Sequence, residues 1–329
     1  MSSASIDGAD RCSSVLLSAS EFISKKKEIE EFYYSSVVIH HFNNQDNLDV
    51  TCAEYKPITS EGCLVVFPGR GETPHKYAEF IYSLRSLHLR ILVIFGRGQG
   101  ESARLLNNRQ KCHLVDFKNL RDDAAFILDA FNVRNFVLLS FSMGALVALD
   151  YIFNEQNRPK KAVFIAPYIW PYFKLPAPLL IALIWFMGSV PFLKECFTPH
   201  GREYKKVPFE ENYHSHCIER YEAYHAHYAQ HPHETIGGPT YAFVKAATRT
   251  QLKLMHSRID FTIPTRAFLC GDDKVVCTER AKAFFLLHAS DTCPHVVSVE
   301  DHVFHDVINE SDIYRTPILS EALAFLLEE

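Results

Sequence analysis

The sequence predicts an α/β fold: a mostly parallel sheet with helices on both faces and an inserted helical cap. Short apolar runs, which are typical of buried parallel strands, alternate with stretches whose apolar residues recur at helical spacing. This alternation stops after Pro167 and resumes near residue 261. The chain between these points therefore reads as an insertion between two parts of one sheet, not as a separate domain.

The pattern divides the chain into a lead-in, a core in two parts and a cap. The lead-in covers residues 1–30 and ends in a charged helix over residues 21–31. The core covers residues 31–167 and 261–329, and the cap covers residues 168–260. Apolar runs predict strands at 35–41, 48–55, 62–67, 89–95, 136–139, 161–166, 265–270 and 295–299. Helical spacing predicts helices at 77–84, 117–128, 279–289 and 313–327.

Composition excludes several classes of function. Apolar residues make up 47% of the chain, and a net charge of -5 offers no basic surface for nucleic acid. Nine cysteines without a CxxC pair indicate reduced thiols in a cytoplasmic protein, and the first ten residues lack the features of a secretory signal.

Prolines interrupt the most apolar stretch, residues 175–193. We therefore expect a packed or interfacial helix there and no membrane span.

A strand that turns directly into a helix surrounds Ser142. Such a turn lifts the hydroxyl clear of the backbone and sets it at a helix N-terminus, where developing negative charge is stabilised. The usual motif is Gly-x-Ser-x-Gly, in which small flanking residues let strand and helix pass close together. Here Ser140 replaces the first glycine and Gly144 keeps the second. Ser142 is therefore the candidate nucleophile.

A serine nucleophile needs a base and an acid that orients the base, and such groups lie at the carboxyl ends of parallel strands. The part of the sheet that follows the cap has two strands, predicted at 265–270 and 295–299, whose carboxyl ends carry such residues. One carries Asp272 and Asp273, and the other is followed by His302 and His305. We favour Asp273 as the acid and His305 as the base. Asp272 and His302 remain alternatives, because neighbouring residues in a loop cannot be ranked firmly from sequence.

The developing oxyanion needs two backbone N–H donors. One is assigned to Met143, which follows the candidate nucleophile. The other is assigned to Arg70, because the sequence Pro68-Gly69-Arg70-Gly71 after the strand at 62–67 lets backbone approach the site.

Two further motifs predict no cofactor and no metal. The glycine-rich stretch 96–100 lacks the Gly-Lys-Ser/Thr of a phosphate-binding P-loop, so Arg97 is expected to tie loops together beneath the site. Six histidines fall between residues 214 and 233, but none belongs to a His-Glu-x-x-His motif. We interpret most of these histidines as surface or hydrogen-bonded core residues.

On the basis of these residues, the chain resembles proteins with the α/β-hydrolase fold. Among these proteins it resembles bacterial lysophospholipases and monoacylglycerol lipases. The resemblance spans residues 35–328 and depends on motifs at 65–72, 96–102, 140–144 and 237–241 and on the His305 loop. Two departures are Ser140 and the Phe95-Gly96 pair, where the family often has an aspartate before its Arg-Gly-x-Gly. Neither departure removes a candidate catalytic group.

The resemblance implies a metal-free and cofactor-free serine hydrolase that cleaves one acyl ester of a lysophospholipid or monoacylglycerol. The apolar stretch 175–193 fits a cap that holds an acyl chain or touches the inner face of a membrane. A peptidase or thioesterase on the same fold, and a non-catalytic binding protein, are the alternatives. Head group, chain length and oligomeric state are not predicted.

Overall fold

A computed structural model describes residues 10, 12–172, 177–199, 201–257, 261, 263–289 and 296–328. Eight strands form one sheet in the order β1-β2-β4-β3-β5-β6-β7-β8. The strands are β1 Val37–Asn43, β2 Asp49–Tyr55, β3 Gly62–Phe67, β4 Leu89–Phe95, β5 Val137–Phe141, β6 Ala162–Ile165, β7 Thr265–Cys270 and β8 Val296–Glu300. Each predicted strand is confirmed, and the predicted ends that lie among the described residues agree within two residues. Residues 290–295, including the predicted start of the last strand at 295, lie outside the described residues.

The sheet is antiparallel at one edge and parallel elsewhere. A polar turn joins β1 and β2 into a hairpin, and β2 also pairs antiparallel with β4. From β4 through β3, β5, β6, β7 and β8 every pairing is parallel. Parallel strands need crossover connections that cover both faces of the sheet, which explains why β3 and β5 are nearly continuous apolar runs.

Helices cover both faces of this sheet. They are α1 Ala19–Ser24, α2 Lys26–Ser36, α3 Ala78–Leu84, α4 Lys118–Ala130, α5 Met143–Asn154, α6 Ala177–Met187, α7 Ile218–Gln230, α8 Tyr241–His256, α9 Thr278–Leu287 and α10 Asp312–Leu327. One buried cluster joins one face of the sheet to α4, α5, α8 and α9. A second cluster joins the other face to α3 and α10. The predicted mostly parallel sheet with helices on both faces is therefore confirmed.

The lead-in differs in detail from its prediction. The charged helix predicted over residues 21–31 is divided into α1 and α2 at Lys25. The first helix begins at a capping box, in which the Ser18 hydroxyl accepts from the Glu21 N–H and the Glu21 carboxylate accepts from the Ser18 N–H. Helical periodicity continues on both sides of Lys25, so the pattern alone does not reveal the break.

We use cap for residues 168–260, the chain between β6 and β7. Its helix α7 is attached to the core by Arg220, which is 1% exposed. The guanidinium of Arg220 donates to Glu79 at 2.9 Å, to Asp312 at 2.8 Å and to the carbonyl of Leu17 at 2.9 Å. A buried guanidinium needs such complete pairing, and here it joins cap, core and lead-in. None of the described helices is long and apolar enough to cross a membrane.

Candidate active site

The turn between β5 and α5 presents Ser142 at the edge of the sheet. Ser142 has φ 48° and ψ -114°, a conformation that is costly for a residue with a side chain. Ser140, two residues earlier, is fully buried and donates its hydroxyl to the Val163 carbonyl at 2.9 Å. The serine that replaces the first glycine of the motif is therefore satisfied by the neighbouring strand.

Gly144 is required by close packing on the preceding loop. A Cβ at this position would lie 2.1 Å from the carbonyl oxygen of Phe67 and 2.5 Å from that of Pro68. The start of α5 is thus pressed against the end of β3 and the beginning of the loop that contains Arg70. This contact explains the second glycine of the motif by shape alone.

The structure brings Ser142, His305 and Asp273 together in one hydrogen-bonded chain. The Nε2 atom of His305 lies 2.8 Å from the Ser142 hydroxyl oxygen, and its Nδ1 atom lies 2.6 Å from an Asp273 carboxylate oxygen. The three residues come from the ends of three different strands. This arrangement can take a proton from the hydroxyl and stabilise the imidazolium that results.

Asp273 is held in place by backbone as well as by the imidazole. Its second carboxylate oxygen accepts from the N–H groups of Val275 at 2.7 Å and Val276 at 2.9 Å. Burial raises the pKa of Asp273, but His305 and these N–H donors outweigh it and hold that pKa below its usual value. The carboxylate therefore stays ionised while the imidazole titrates.

The two alternatives from the sequence lie outside this chain of hydrogen bonds. Asp272 and His302 pair with each other at 3.4 Å, with side chains 46% and 78% exposed. The adjacent residues Asp272 and Asp273 thus pair with different histidines. The exposed pair of Asp272 and His302 has no contact with Ser142 among the described hydrogen bonds.

The imidazole of His305 is almost fully buried, at 9% side-chain exposure. Burial lowers the pKa of His305, but the Asp273 carboxylate outweighs burial, and the net pKa lies above its ordinary value. His214 lies close by, with ring centroids 6.2 Å apart. Burial, together with the neighbouring His305, lowers the pKa of His214 to about 4, so this second imidazole stays neutral near pH 7.

The loop after β3 leaves the N–H of Arg70 available. Flanking N–H groups are engaged, since Gly69 donates to Glu72 at 2.8 Å and Gly71 donates to the Gln99 side chain at 2.9 Å. Within the described part of the chain, the N–H groups of Arg70 and Met143 have no hydrogen-bond acceptor. An oxyanion hole requires backbone N–H donors that are free in this way.

A partly buried charge network that was not predicted connects this loop to the loop after β8, which contains His305. Glu72 accepts from the Gly69 N–H, from the Tyr77 hydroxyl at 2.6 Å and from the Lys76 ammonium at 2.7 Å. The same ammonium donates to Asp306 at 2.8 Å. The spacing of four residues between Glu72 and Lys76 was the available signal, but it is equally typical of a solvated ion pair.

Arg97, in the glycine-rich stretch 96–100, has a structural role, as the sequence indicated. The guanidinium of Arg97 donates to Asp123 at 2.7 and 2.9 Å and to Asp46 at 2.6 Å, which ties three segments of the core. Metal-ligating side chains of the described residues come together elsewhere, at His231, His233 and Glu234. That group is formed by cap residues only and includes no member of the hydrogen-bonded chain at Ser142.

The chain is similar in sequence and in fold to several known proteins. The chain is 25% identical over 293 residues to lysophospholipase L2 of Escherichia coli, covering 86% of both chains. Its structure is similar to that of monoglyceride lipase from Saccharomyces cerevisiae, with TM-score 0.69, 12% identity and coverage of 89% of this chain and 96% of that one. Monoacylglycerol lipase from Paleococcus ferrophilus gives TM-score 0.66, 13% identity and coverage of 84% and 98%.

At these identities the structural likeness shows a shared fold, the α/β-hydrolase fold. The sequence profile of a family described as "Serine aminopeptidase, S33" matches residues 59–312. This match begins just before β3 and ends at the start of α10, so it includes the candidate nucleophile, acid and base. Because it covers most of the chain, the protein belongs to the serine aminopeptidase S33 family.

Proposed function

We propose that the protein is a serine hydrolase that cleaves one carboxylic ester of a lysophospholipid or monoacylglycerol through an acyl-enzyme. The observation that carries the proposal is the hydrogen-bonded chain from Ser142 through His305 to Asp273. The choice of a lipid ester is supported by similarity to a protein named lysophospholipase L2 and, in fold, to monoacylglycerol lipases.

In the first half-reaction His305 takes the Ser142 proton as the hydroxyl oxygen bonds to the ester carbonyl carbon. The tetrahedral intermediate then collapses, the bond to the glycerol oxygen breaks, and His305 gives its proton to that leaving oxygen. In the second half-reaction a water loses a proton to His305 and attacks the acyl-enzyme. The fatty acid leaves, and the proton returns to Ser142.

We assign the oxyanion hole to the N–H groups of Arg70 and Met143. Both donors are backbone groups, so their direction is fixed by the loop after β3 and by the first turn of α5. Each is expected to stabilise the transition state by about 3 kcal/mol, the usual cost of losing one such donor. The reaction so described needs no metal or organic cofactor.

The cap is proposed to cover the site and to contact a membrane surface. Its helix α6 exposes Leu179, Leu183 and Phe186, which are 76%, 50% and 65% exposed and share one face at helical spacing. Phe192, 75% exposed, follows shortly after the helix. Exposed apolar side chains grouped in this way are typical of a helix that lies in a lipid interface. They would bring the site to substrates that reside in the bilayer.

We infer that this contact occurs at the inner face of the membrane, from the cytoplasm. Free thiols of the described residues, which support a reducing compartment, include Cys52, Cys63, Cys112, Cys196, Cys217, Cys270 and Cys277. Vesicle co-sedimentation tests the surface: Leu183→Glu and Phe186→Glu should release the protein from anionic vesicles. Leu287→Glu changes a leucine on α9 that is even more exposed, at 73%, and should leave binding unchanged. Equal binding by all three variants would contradict the assigned surface.

The reaction is tested with a panel of lysophosphatidylcholine, monoacylglycerol, a short acyl thioester and an aminoacyl anilide. Ser142→Ala should abolish turnover and labelling by a fluorophosphonate, while circular dichroism stays unchanged. The family's description as a serine aminopeptidase makes the anilide a necessary member of the panel. Faster turnover of the anilide or thioester would replace the lipid ester assignment, and absence of labelling in the wild type would favour a non-catalytic binding protein.

A further inference from the structure

Three potential metal ligands converge where α7 ends. The Nδ1 atom of His231 lies 3.6 Å from a carboxylate oxygen of Glu234, and the Nε2 atom of His233 lies 3.9 Å from the same oxygen. One atom from each side chain falls within 4.8 Å of the other two. The short 3₁₀ turn Pro232–Glu234, which follows the helix closely, contains His233 and Glu234.

These separations fit a shared ion better than they fit direct hydrogen bonds. Nitrogen and oxygen atoms at 3.6 and 3.9 Å are beyond the usual hydrogen-bond range of about 2.7–3.2 Å. Ligands placed about 2.0–2.2 Å from a tetrahedral Zn²⁺ are separated by about 3.4 Å. Small side-chain rotations of His231 and His233 would bring the three atoms to that spacing around Glu234.

A second layer of side chains fixes the carboxylate. His227 lies 2.9 Å from the other carboxylate oxygen of Glu234, and its ring stacks on His75 with centroids 3.9 Å apart. His75 in turn lies 3.0 Å from Glu30 of α2. Ligating carboxylates in metal sites are commonly held in this way by outer hydrogen bonds, which leave one oxygen directed at the ion.

Access from solvent is open, since the His233 side chain is 68% exposed and that of His231 is 36% exposed. A cavity of about 280 Å³ between α2 and α7 also reaches His231.

We propose that His231, His233 and Glu234 bind one divalent transition-metal ion, with Zn²⁺ favoured over Mg²⁺ and Ca²⁺. Imidazole nitrogens suit Zn²⁺, whereas the two hard cations prefer sets of oxygen ligands. Three protein ligands leave a fourth position for water. This site is separate from the hydrolytic centre, and the proposal does not depend on the proposed reaction.

The position of the site gives it a structural consequence. Glu234 precedes the segment that runs to Gly237, whose carbonyl accepts from the Arg70 side chain at 2.7 Å. The Tyr228 hydroxyl of α7 donates to the carbonyl of Gly71 in the same loop. A bound ion would therefore fix the end of α7 and the segment that follows it. Both lie beside the loop after β3, which contains Arg70 and Gly71.

Calorimetric titration of the reduced, metal-free protein with Zn²⁺ tests the proposal. We expect one ion per chain and no heat with Mg²⁺. His233→Gln removes one exposed ligand, and it should weaken binding by at least about 10-fold, the lower range for disturbing even an outer-layer partner. His256→Gln is the matched control, because His256 is an exposed histidine on α8 outside the cluster. It should bind as the wild type does.

Two further measurements separate this site from zinc held by cysteines. Co²⁺ in the site should give visible absorption without the thiolate charge-transfer band that cysteine ligands produce. Zn²⁺ at about 100 times its Kd should raise the Tm of the wild type by about 4 °C and that of His233→Gln by much less. The proposal is wrong if the wild type binds no Zn²⁺, if His233→Gln binds it equally well, or if the Co²⁺ spectrum shows thiolate ligands.

Discussion

The ammonium group of Lys76 lies 2.8 Å from a carboxylate oxygen of Asp306, the residue directly after His305. The same ammonium contacts Glu72, which in turn accepts from the N–H of Gly69. Burial opposes the charge on Lys76, but the two carboxylates hold its pKa above the ordinary value. Lys76 thus joins the loop after β3, which contains Arg70, to the loop after β8, which contains His305. These loops are far apart in the chain.

Lys76→Met is therefore expected to disturb both loops at once. The partly buried carboxylates of Glu72 and Asp306 would lose the cation that they share, which should lower the free energy of unfolding by about 3 kcal/mol. For the molecules that remain folded, we expect kcat to fall by about 10-fold or more, with a smaller change in KM, because misplaced groups affect the transition state most. Urea denaturation and steady-state kinetics measure the two effects.

The matched control is Lys282→Met, which changes an exposed lysine on α9. It should leave both stability and turnover close to the wild type. If Lys76→Met kept wild-type kcat while unfolding more easily, Lys76 would stabilise the fold without positioning the site.

The assignment of the acid can be tested with neighbouring residues. Asp273→Asn should reduce kcat by about 10³- to 10⁴-fold, because an amide no longer stabilises the imidazolium or enforces the reactive tautomer of His305. Asp272→Asn changes a residue that is 46% exposed and pairs only weakly with His302, so it should retain nearly full activity. The reverse order of effects in a kinetic comparison would exchange the roles of Asp272 and Asp273.

The pH dependence of kcat/KM follows from the raised pKa of His305. The protonated imidazole cannot accept the Ser142 proton, so activity should fall as pH falls through that pKa. We expect the acidic midpoint to lie above about 6.5, the ordinary value for histidine. The Asp306 carboxylate contributes to the raised pKa, so Asp306→Asn should move the midpoint to lower pH. A midpoint below 6.5 in the wild type, or no shift in Asp306→Asn, would contradict this explanation.

The core of the fold could be predicted because parallel strands that are buried on both faces leave a strong sequence signal. In β3 and β4 nearly every residue is apolar, so neither strand needs tertiary information to be found. The break between α1 and α2 leaves no such signal, since helix-forming residues continue through Lys25. Local composition determines strands such as β3 and β4, whereas capping and packing determine the break between α1 and α2.

The sequence identified Ser142 as the single candidate nucleophile, but it narrowed the acid and the base only to two residues at each strand end. Asp272 and Asp273 are the same residue type, and tertiary contacts with His305 and with the N–H groups of Val275 and Val276 select Asp273. The pair of Lys76 and Asp306 is separated by 230 positions in the chain, so its burial depends on tertiary contacts that no local pattern records. Sequence spacing similarly shows a run of histidines without showing which of them converge.

The contact between Gly144 and the loop after β3 makes a final prediction about shape. A methyl group added by Gly144→Ala would lie 2.1 Å from the Phe67 carbonyl oxygen, so the backbone leading to Arg70 or the start of α5 must move. We expect a loss of about 3 kcal/mol in the free energy of unfolding and a fall in kcat as the oxyanion donors separate. Gly62→Ala is the control at the other end of β3, where the added group would lie an ordinary 3.4 Å from the Leu89 side chain. Equal stability and turnover of the two variants would show that the loop tolerates displacement, and the close packing at Gly144 would then not position the oxyanion donors.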